Sequence, residues 1–200
     1  RRARAAPLLS AALPGSLYVY QGDELGLPEV EDLPLELLQD PMHFRSGGVD
    51  PGRDGCRVPL PWSGTRAPFG FSGSAGSDDD GAQPWLPQPA DWAALTVEAQ
   101  ADDPESFLTL YRETLRLRRA EPALHEPHLA WLDAPGAPRD VLAFTRGDAF
   151  ACVVNLGTVS APLPEHTDVL LSSAPLEGGL LAPDTAVWLR LPAGAQPEPL

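Results

Sequence analysis

Hydrophobic and polar positions at the start of the chain predict a helix followed by a strand. Apolar residues dominate after the basic start, and Pro14-Gly15 marks the end of a helix predicted over Arg1–Leu13. No capping residue precedes that helix and residue 1 is not Met, so we expect the chain to be part of a longer protein. Ser16–Tyr20 is apolar without alternation, which predicts a strand buried on both faces of a parallel sheet.

Regular periodicity is missing from Gln21 to about Pro89 and returns in a second helix. We predict that Asp103 caps this helix and that Pro104 lies in its first turn. Leu108, Tyr111 and Leu115 are spaced by three and four residues, which predicts that they share the buried face.

Short β-type segments follow Pro122 and are separated by turn residues. The predicted strands are Leu129–Leu132, Val141–Thr145, Ala149–Asn155, Val169–Leu171 and Ala186–Leu191. Arg146-Gly147-Asp148 is typical of a hairpin loop. The sequence therefore predicts α/β structure over residues 1–124 and a small antiparallel β-sandwich or sheet domain over residues 125–200.

Charge narrows the range of partners. The 200 residues carry a formal net charge of -14, and nucleic acids and anionic membrane surfaces are bound through clusters of Lys and Arg. We expect neither as a partner, whereas a neutral small molecule is compatible with this charge. The two cysteines lie far apart in the sequence, which predicts reduced thiols and a cytoplasmic location.

A pair of acids follows the predicted strand directly. Asp23 and Glu24 lie where the carboxyl end of a parallel strand would face a site. Acid–base chemistry, metal binding and loop anchoring are all open to such a pair. Anchoring is favoured, because loops at strand ends are commonly polar.

A second candidate is the segment Gly52–Trp62. Arg53 and Arg57 are four residues apart with Asp54 between them. A guanidinium is rigid and always charged, so it can hold a carboxylate or sugar hydroxyls in place. An internal Arg–Asp pair that merely ties down the loop is an equally good interpretation of the spacing.

Other chemistries lack support in the sequence. The four histidines are scattered without metal-ligand spacing, and neither a phosphate-binding glycine loop nor a nucleophile elbow is present. We therefore expect no metal and no cofactor to bind this chain.

The sequence resembles glycoside hydrolase family 13, the α-amylase superfamily, in its α-glucosidase and oligo-1,6-glucosidase branch. Four segments carry the resemblance: Leu13–Pro28, Leu38–Pro41, Gly52–Trp62 and Pro84–Pro87. Ser106–Leu124 is similar to the final barrel helix of that family. Residues after 124 are similar to its small C-terminal domain in architecture alone.

The resemblance implies the last helix–strand–helix part of an (α/β)8 barrel, followed by the small β domain. It implies a retaining enzyme that hydrolyses terminal α-linked glucose with an Asp nucleophile and a Glu acid/base. Both carboxylates belong to motifs upstream of residue 1, so the resemblance places no catalytic residue in this chain. The missing N-terminal barrel portion of the same protein is then its partner.

The resemblance also implies roles for particular residues. One of Arg53 and Arg57 matches a segment that holds glucose, and Asp23 and Glu24 match acids of structural role at the strand end. Glu36 lies in a loop where some relatives place an acid that contacts the aglycone. Val58–Trp62 departs from the commoner Thr-Pro-Met form, which leaves the subfamily open.

Several functions are compatible with this resemblance. A glucosyl transferase or a sucrose- or trehalose-forming isomerase shares the scaffold. A non-catalytic amylase-like protein is disfavoured, because the Arg53–Trp62 segment is intact. A carbohydrate-binding module would need surface tryptophans, and the β part offers Trp131 and Trp188, which we expect to be core residues.

Overall fold

The computed structural model describes residues 1–72, 84–132 and 138–192. They form two compact units. The first contains Arg1–Tyr18 together with the chain from Leu110 onward, and the second contains Val19–Thr109. The predicted domain boundary near residue 124 stays a prediction.

The first unit begins with helix α1 (Arg2–Ala12), which confirms the predicted helix. Pro7 is the central residue of this helix, where its ring leaves one backbone hydrogen bond of the helix unmade. Its buried face consists of Ala5, Pro7, Leu8, Ala11 and Ala12.

Seven antiparallel strands follow among the described residues of the same unit; five lie close to the predicted bounds, whereas the pair Ala161–Pro162 and Leu180–Leu181 was not predicted. They are β1 (Ala130–Trp131), β2 (Val141–Arg146), β3 (Phe150–Asn155), β4 (Ala161–Pro162), β5 (Asp168–Ser172), β6 (Leu180–Leu181) and β7 (Thr185–Arg190). The order β1-β2-β3-β7-β5 makes one sheet, and β4 pairs with β6 in a second. Gly147, at φ 56°, turns the predicted hairpin between β2 and β3, which is confirmed.

Both faces of the larger sheet are buried. On one face, Phe144, Phe150 and Trp188 pack with the apolar residues of α1. The indole Nε1 of Trp188 donates to the Leu8 carbonyl at 3.0 Å, so the core also holds a satisfied polar group. The opposite face carries a separate cluster that includes Leu181 of β6. Trp188 is therefore a core residue as predicted, whereas Trp131 is 58% exposed.

The second unit has little regular structure and a core of its own. Its helices are α2 (Pro41–Arg45), α3 (Val97–Gln100) and the start of α4 (Phe107–Ala120), and its 3₁₀ turns are Asp23–Leu25, Leu35–Leu37, Asp54–Cys56 and Ala90–Leu95. The core residues are Val30, Leu33, Leu38, Val58, Phe69, Leu86 and Trp92. Such a core fixes long polar loops without a sheet beneath them.

The predicted buried strand is wrong for this chain. Ser16–Tyr20 forms no regular element and pairs with no strand of the described residues, and Tyr18 is 90% exposed. A parallel strand is stabilised by hydrogen bonds from neighbouring strands, and an apolar sequence alone does not supply them.

The predicted cap of the second helix is also wrong. Helix α4 begins at Phe107, and the Ser106 hydroxyl accepts from the Thr109 N–H at 3.1 Å. Asp103 instead accepts from the Glu105 N–H, in the turn before the helix. Within the first unit the buried positions of α4 are Leu110 and Thr114, rather than Tyr111 and Leu115.

No helix of the described residues is long and apolar enough to cross a membrane.

Candidate functional site

The candidate site is built around the 3₁₀ turn Asp54–Cys56 in the second unit. Gly52 precedes this turn with φ 78°, and a Cβ added there would lie 2.5 Å from the Cβ of Asp40. A larger residue would clash with Asp40 in a conformation that already favours glycine. Gly52 therefore brings the loop of Arg53 and Arg57 directly against Asp40.

Asp40 and Asp54 tie their two loops together. Asp54 Oδ2 accepts from the backbone N–H groups of Gln39 and Asp40, at 2.6 and 2.8 Å. In return, Asp40 Oδ2 accepts from the Arg53 N–H at 3.1 Å, while its Oδ1 caps α2 through the Met42 N–H. Both carboxylates are thus satisfied mainly by backbone donors.

Asp40 was missed in the sequence analysis. Asp40-Pro41 is a helix start signal, because Asp is a preferred N-cap and Pro is favoured at the first helical position. That signal could have placed α2 and its cap. It could not have shown that the same carboxylate reaches the arginine loop.

Arg57 is held by both of these carboxylates. Its Nη1 lies 2.8 Å from Asp40 Oδ2 and 3.3 Å from Asp54 Oδ1. Desolvation lowers the pKa of Arg57, but the charges and hydrogen bonds of Asp40 and Asp54 outweigh it and raise this pKa above its ordinary value. The Met42 N–H, followed by the Arg53 N–H and Arg57, lowers the pKa of Asp40, against an opposing effect of burial.

Arg53 has a different environment. Its backbone is fixed by Asp40, while its side chain is exposed and makes no hydrogen bond or ion pair with any described residue. The structure thus separates the two predicted arginines into one that is paired and one whose guanidinium is available.

Tyr20 lies close to both arginines. Burial raises the pKa of its hydroxyl, as does Cys56, whose thiol lies 3.9 Å away, while the charges of Arg57 and Arg53 oppose this rise. The Cys56 thiol also donates to the Arg53 carbonyl at 3.1 Å. Tyr20, Arg53 and Arg57 therefore share one local environment.

A cavity of about 450 Å³ opens beside Arg57. It is lined by Gln39, Asp54, Arg57, Pro59, Trp85 and Leu86. Trp85 is 58% exposed, and its Nε1 donates to the Leu37 carbonyl at 3.0 Å.

The remaining predicted site residues lie outside this cavity. Asp23 Oδ2 accepts from the Tyr20 N–H at 3.1 Å, and Glu24 Oε2 accepts from the Gly22 N–H at 2.9 Å. Glu36 is exposed in the turn Leu35–Leu37 and does not line the cavity.

The arrangement is suited to binding hydroxyl groups. The cavity beside Arg57 offers a guanidinium, a carboxamide and an indole, all of which are typical of polar small-molecule sites, whereas Arg53 and the Tyr20 phenol do not line it. The oxygens of Asp40 and Asp54 are engaged by backbone donors and Arg57. In the described ranges, groups of three or more His, Cys, Asp or Glu residues that could hold a metal ion are absent.

A family comparison matches this part of the chain. Residues 1–127 match the α-amylase family, described as the α-amylase catalytic domain. The chain belongs to the α-amylase family. The matched range of this family includes α1, the arginine loop and α4, and its solved relatives are barrel enzymes of glycoside hydrolase family 13.

Relatives within the family have more than one kind of activity in their names. A probable α-glucosidase of Rhizobium meliloti (strain 1021) is 34% identical over 153 residues, which cover 76% of this chain and 26% of that protein. Trehalose synthase/amylase TreS of Mycobacterium tuberculosis (strain ATCC 25618 / H37Rv) is 31% identical over 179 residues, with 84% and 26% covered.

A solved structure of the α-amylase family has a similar fold. The α-glucosyl transfer enzyme XgtA is 33% identical, with a TM-score of 0.75, and the match covers 96% of this chain and 36% of that one. The chain thus spans about a quarter of the length of the curated relatives named above.

Proposed function

We propose that this chain is the C-terminal part of a retaining α-glucosidase that releases terminal α-linked glucose from short oligosaccharides. The observation that carries the proposal is the unpaired Arg53 guanidinium, which sits on a loop fixed by buried carboxylates, although Arg53 itself does not line the cavity beside Arg57. The catalytic Asp and Glu belong to the portion of the protein that precedes this chain. The missing N-terminal barrel portion is its structural partner.

Arg53 is the arginine that contacts glucose. Its side chain has donors without partners in the described residues, and its backbone is anchored by Asp40, so binding has to order the side chain but not the loop. Arg57 is already paired with two carboxylates and acts beside it as a fixed, largely neutralised cation.

The acids predicted near the strand end have a structural role. Asp23 and Glu24 accept backbone N–H groups at the start of their own turn, which supports loop anchoring. For Glu36 we propose the role that the resemblance implies, which is contact with the aglycone. Glu36 is exposed.

Substitution of Arg53 in the complete enzyme tests the proposal. The Arg53→Ala variant is expected to lose about 1–3 kcal/mol in kcat/KM for maltose, the usual scale for charge-assisted hydrogen bonds. Glucose release at a range of maltose concentrations measures this loss. The Arg57→Ala variant is expected to lose activity as well, because the loop loses the cation that bridges Asp40 and Asp54.

Arg45→Ala serves as the matched control, since Arg45 is exposed in the same unit and forms no described ion pair. It should keep wild-type kcat/KM. Unchanged rates in both Arg53→Ala and Arg57→Ala would remove the two arginines from the site and with them the basis of the proposal.

A glucosyl transferase or isomerase is the second candidate, because XgtA and TreS carry transfer and trehalose-synthase names. The two candidates differ in whether water or a sugar attacks the glycosyl intermediate. Product analysis on sucrose, maltose and isomaltose separates them: free glucose alone indicates hydrolysis, and new disaccharides indicate transfer or isomerisation.

A further inference from the structure

We propose that one face of helix α4 is a binding site for a small anion that contains a diphosphate group. The groove on this face has a volume of about 570 Å³, and it is lined by Arg112, Leu115, Arg116, Arg119 and Ala120. All five residues belong to the first unit. The inference concerns a second ligand and does not depend on the proposed function.

Helix α4 is basic in a chain that is strongly acidic. The chain has 28 acids against 14 basic residues, which gives the formal net charge of -14. Four of the basic residues lie within eight positions of α4, where Glu113 is the single acid of the sequence: Arg112, Arg116, Arg118 and Arg119. This segment is therefore a local site of attraction for anions.

Three of these arginines form a row along the groove. Arg112 and Arg116 are four residues apart, and Arg116 and Arg119 are three apart, so they are neighbours on the helix surface. With a rise of about 1.5 Å per residue, the Cα atoms at the two ends of the row lie about 10 Å apart along the helix axis. A row of this length lets each of two linked phosphate groups meet its own guanidinium.

Donors in this row are available to a ligand. Arg119 is exposed and forms no hydrogen bond or ion pair with a described residue. The Arg116 side chain is 61% exposed, and its hydrogen bond to Glu113 uses Nε, at 2.8 Å. Nη1 and Nη2 of Arg116 donate to no described residue. A guanidinium presents its donors as a planar fork, which matches two oxygens of a phosphate.

A purely structural role accounts for only part of the row. Arg118 and Arg119 lie in the last turn of α4, where cations oppose the negative pole of the helix. Arg112 and Arg116 lie before that turn and gain little from this effect. Like charges at spacings of three and four residues destabilise a helix. Glu113 supplies one opposite charge, and a bound anion supplies more.

The size of the groove and the charge of the chain favour a small anion over a nucleic acid or a membrane. Both of those present extended arrays of negative charge, which the net charge of -14 opposes outside the groove. A volume of about 570 Å³ lies within the range of about 300–1,000 Å³ that is typical of small-molecule sites. Inorganic diphosphate and a nucleoside diphosphate share the required group.

Calorimetric titration of the complete protein with inorganic diphosphate and with ADP, at low salt and without divalent cations, tests the site. The wild type is expected to bind both. Arg116→Gln and Arg119→Gln should each weaken binding about threefold, and the double variant about tenfold, because single exposed charge pairs are weak. Equal affinities for the two probes show that the diphosphate group alone is recognised, and a higher affinity for ADP shows that the nucleoside adds contacts. Both results support the site.

Arg45→Gln is the matched control, because Arg45 is exposed in the second unit and forms no described ion pair. It should bind both probes like the wild type. Absence of diphosphate binding by the wild type overturns the proposal, as does a double variant that binds as well as the wild type. An equal loss of affinity in Arg45→Gln also overturns it, since the attraction would then come from the overall charge. Circular dichroism checks that the variants, all at exposed positions, remain folded.

Discussion

The carboxylates of Asp40 and Asp54 both lie against Nη1 of Arg57, and this contact limits the roles that these three residues can have. Asp40 and Asp54 are almost fully buried and bind backbone N–H groups of each other's loop as well as Arg57. Buried carboxylates are stable when their oxygens are satisfied in this way. The acids closest to the arginines therefore position the loop, and the proposed function assigns bond cleavage to residues outside this chain.

Acid pH is expected to release this loop through Asp40. The pKa of Asp40 is lowered in the folded state, chiefly by the Met42 N–H. Its stabilising effect is therefore fully present above the ordinary aspartate pKa of about 4 and is lost as the pH falls through the lower folded value. Melting temperatures of the wild type and Asp40→Asn should differ most near neutral pH, begin to converge below about pH 4, and meet once Asp40 of the folded state is protonated and resembles Asn.

Asp102→Asn controls for the charge change, since Asp102 is exposed and has no described partner. Its melting temperature should follow that of the wild type at every pH. A constant difference between Asp40→Asn and the wild type down to pH 2 would contradict the role assigned to Asp40.

The carboxyl end of α1 shows how distant residues complete an element. The last turn of α1 contains no basic residue of its own. Arg118 from α4 instead donates to the carbonyls of Ala11, Leu13 and Gly15. Arg146 from β2 donates to the Ala12 carbonyl. Cations at this end oppose the negative pole of the helix and satisfy carbonyls that the helix leaves open.

Arg146 is the more consequential of the two arginines, because it is 1% exposed and also binds the carbonyls of Leu124, Glu126 and His128. Arg146→Met should destabilise the first unit by at least about 3 kcal/mol, since several buried carbonyls lose their donor at once. Urea unfolding followed by tryptophan fluorescence measures the change.

Arg116→Met is the control for Arg146→Met, because the Arg116 side chain is 61% exposed and pairs with Glu113 on the helix surface. It should shift the free energy of unfolding by less than about 1 kcal/mol. If Arg146→Met also changed the free energy of unfolding by less than about 1 kcal/mol, water would replace the lost donors and the expected role of Arg146 would be wrong.

The presence of an element was predictable where local signals specify it, whereas the partners that complete it were not. The hairpin at Gly147 and the helix α1 follow from local signals, but the arginines at the end of α1 do not. The cap of α4 was misplaced because Asp103 and Ser106 are both good caps, and only tertiary packing buries Ser106. In the site, the two arginines were found from spacing, whereas their separation into paired and unpaired side chains depends on Asp40, a loop away.

At the scale of the whole molecule, each unit has an apolar core of its own, whereas the segment Ser16–Tyr20 pairs with no strand of the described residues. Tyr18, Val19 and Tyr20 are 90%, 43% and 49% exposed, although the segment is apolar enough for a sheet interior. Exposed apolar segments with open backbone groups are sites of association. We propose that the preceding barrel portion covers this segment in the complete protein and that the domain boundary then falls near residue 124.

Without the barrel portion proposed to cover Ser16–Tyr20, the isolated 200-residue chain should not hydrolyse p-nitrophenyl α-glucoside. Retaining cleavage needs two carboxyl groups about 5–5.5 Å apart, and the acids nearest the arginines are bound to backbone N–H groups. Release of p-nitrophenol by the purified chain and by the complete protein measures the difference. Turnover by the chain would contradict the prediction if Arg53→Ala abolishes it and Arg45→Ala preserves it, because a functional site would then form without the preceding barrel. A contaminating glucosidase would respond to neither substitution.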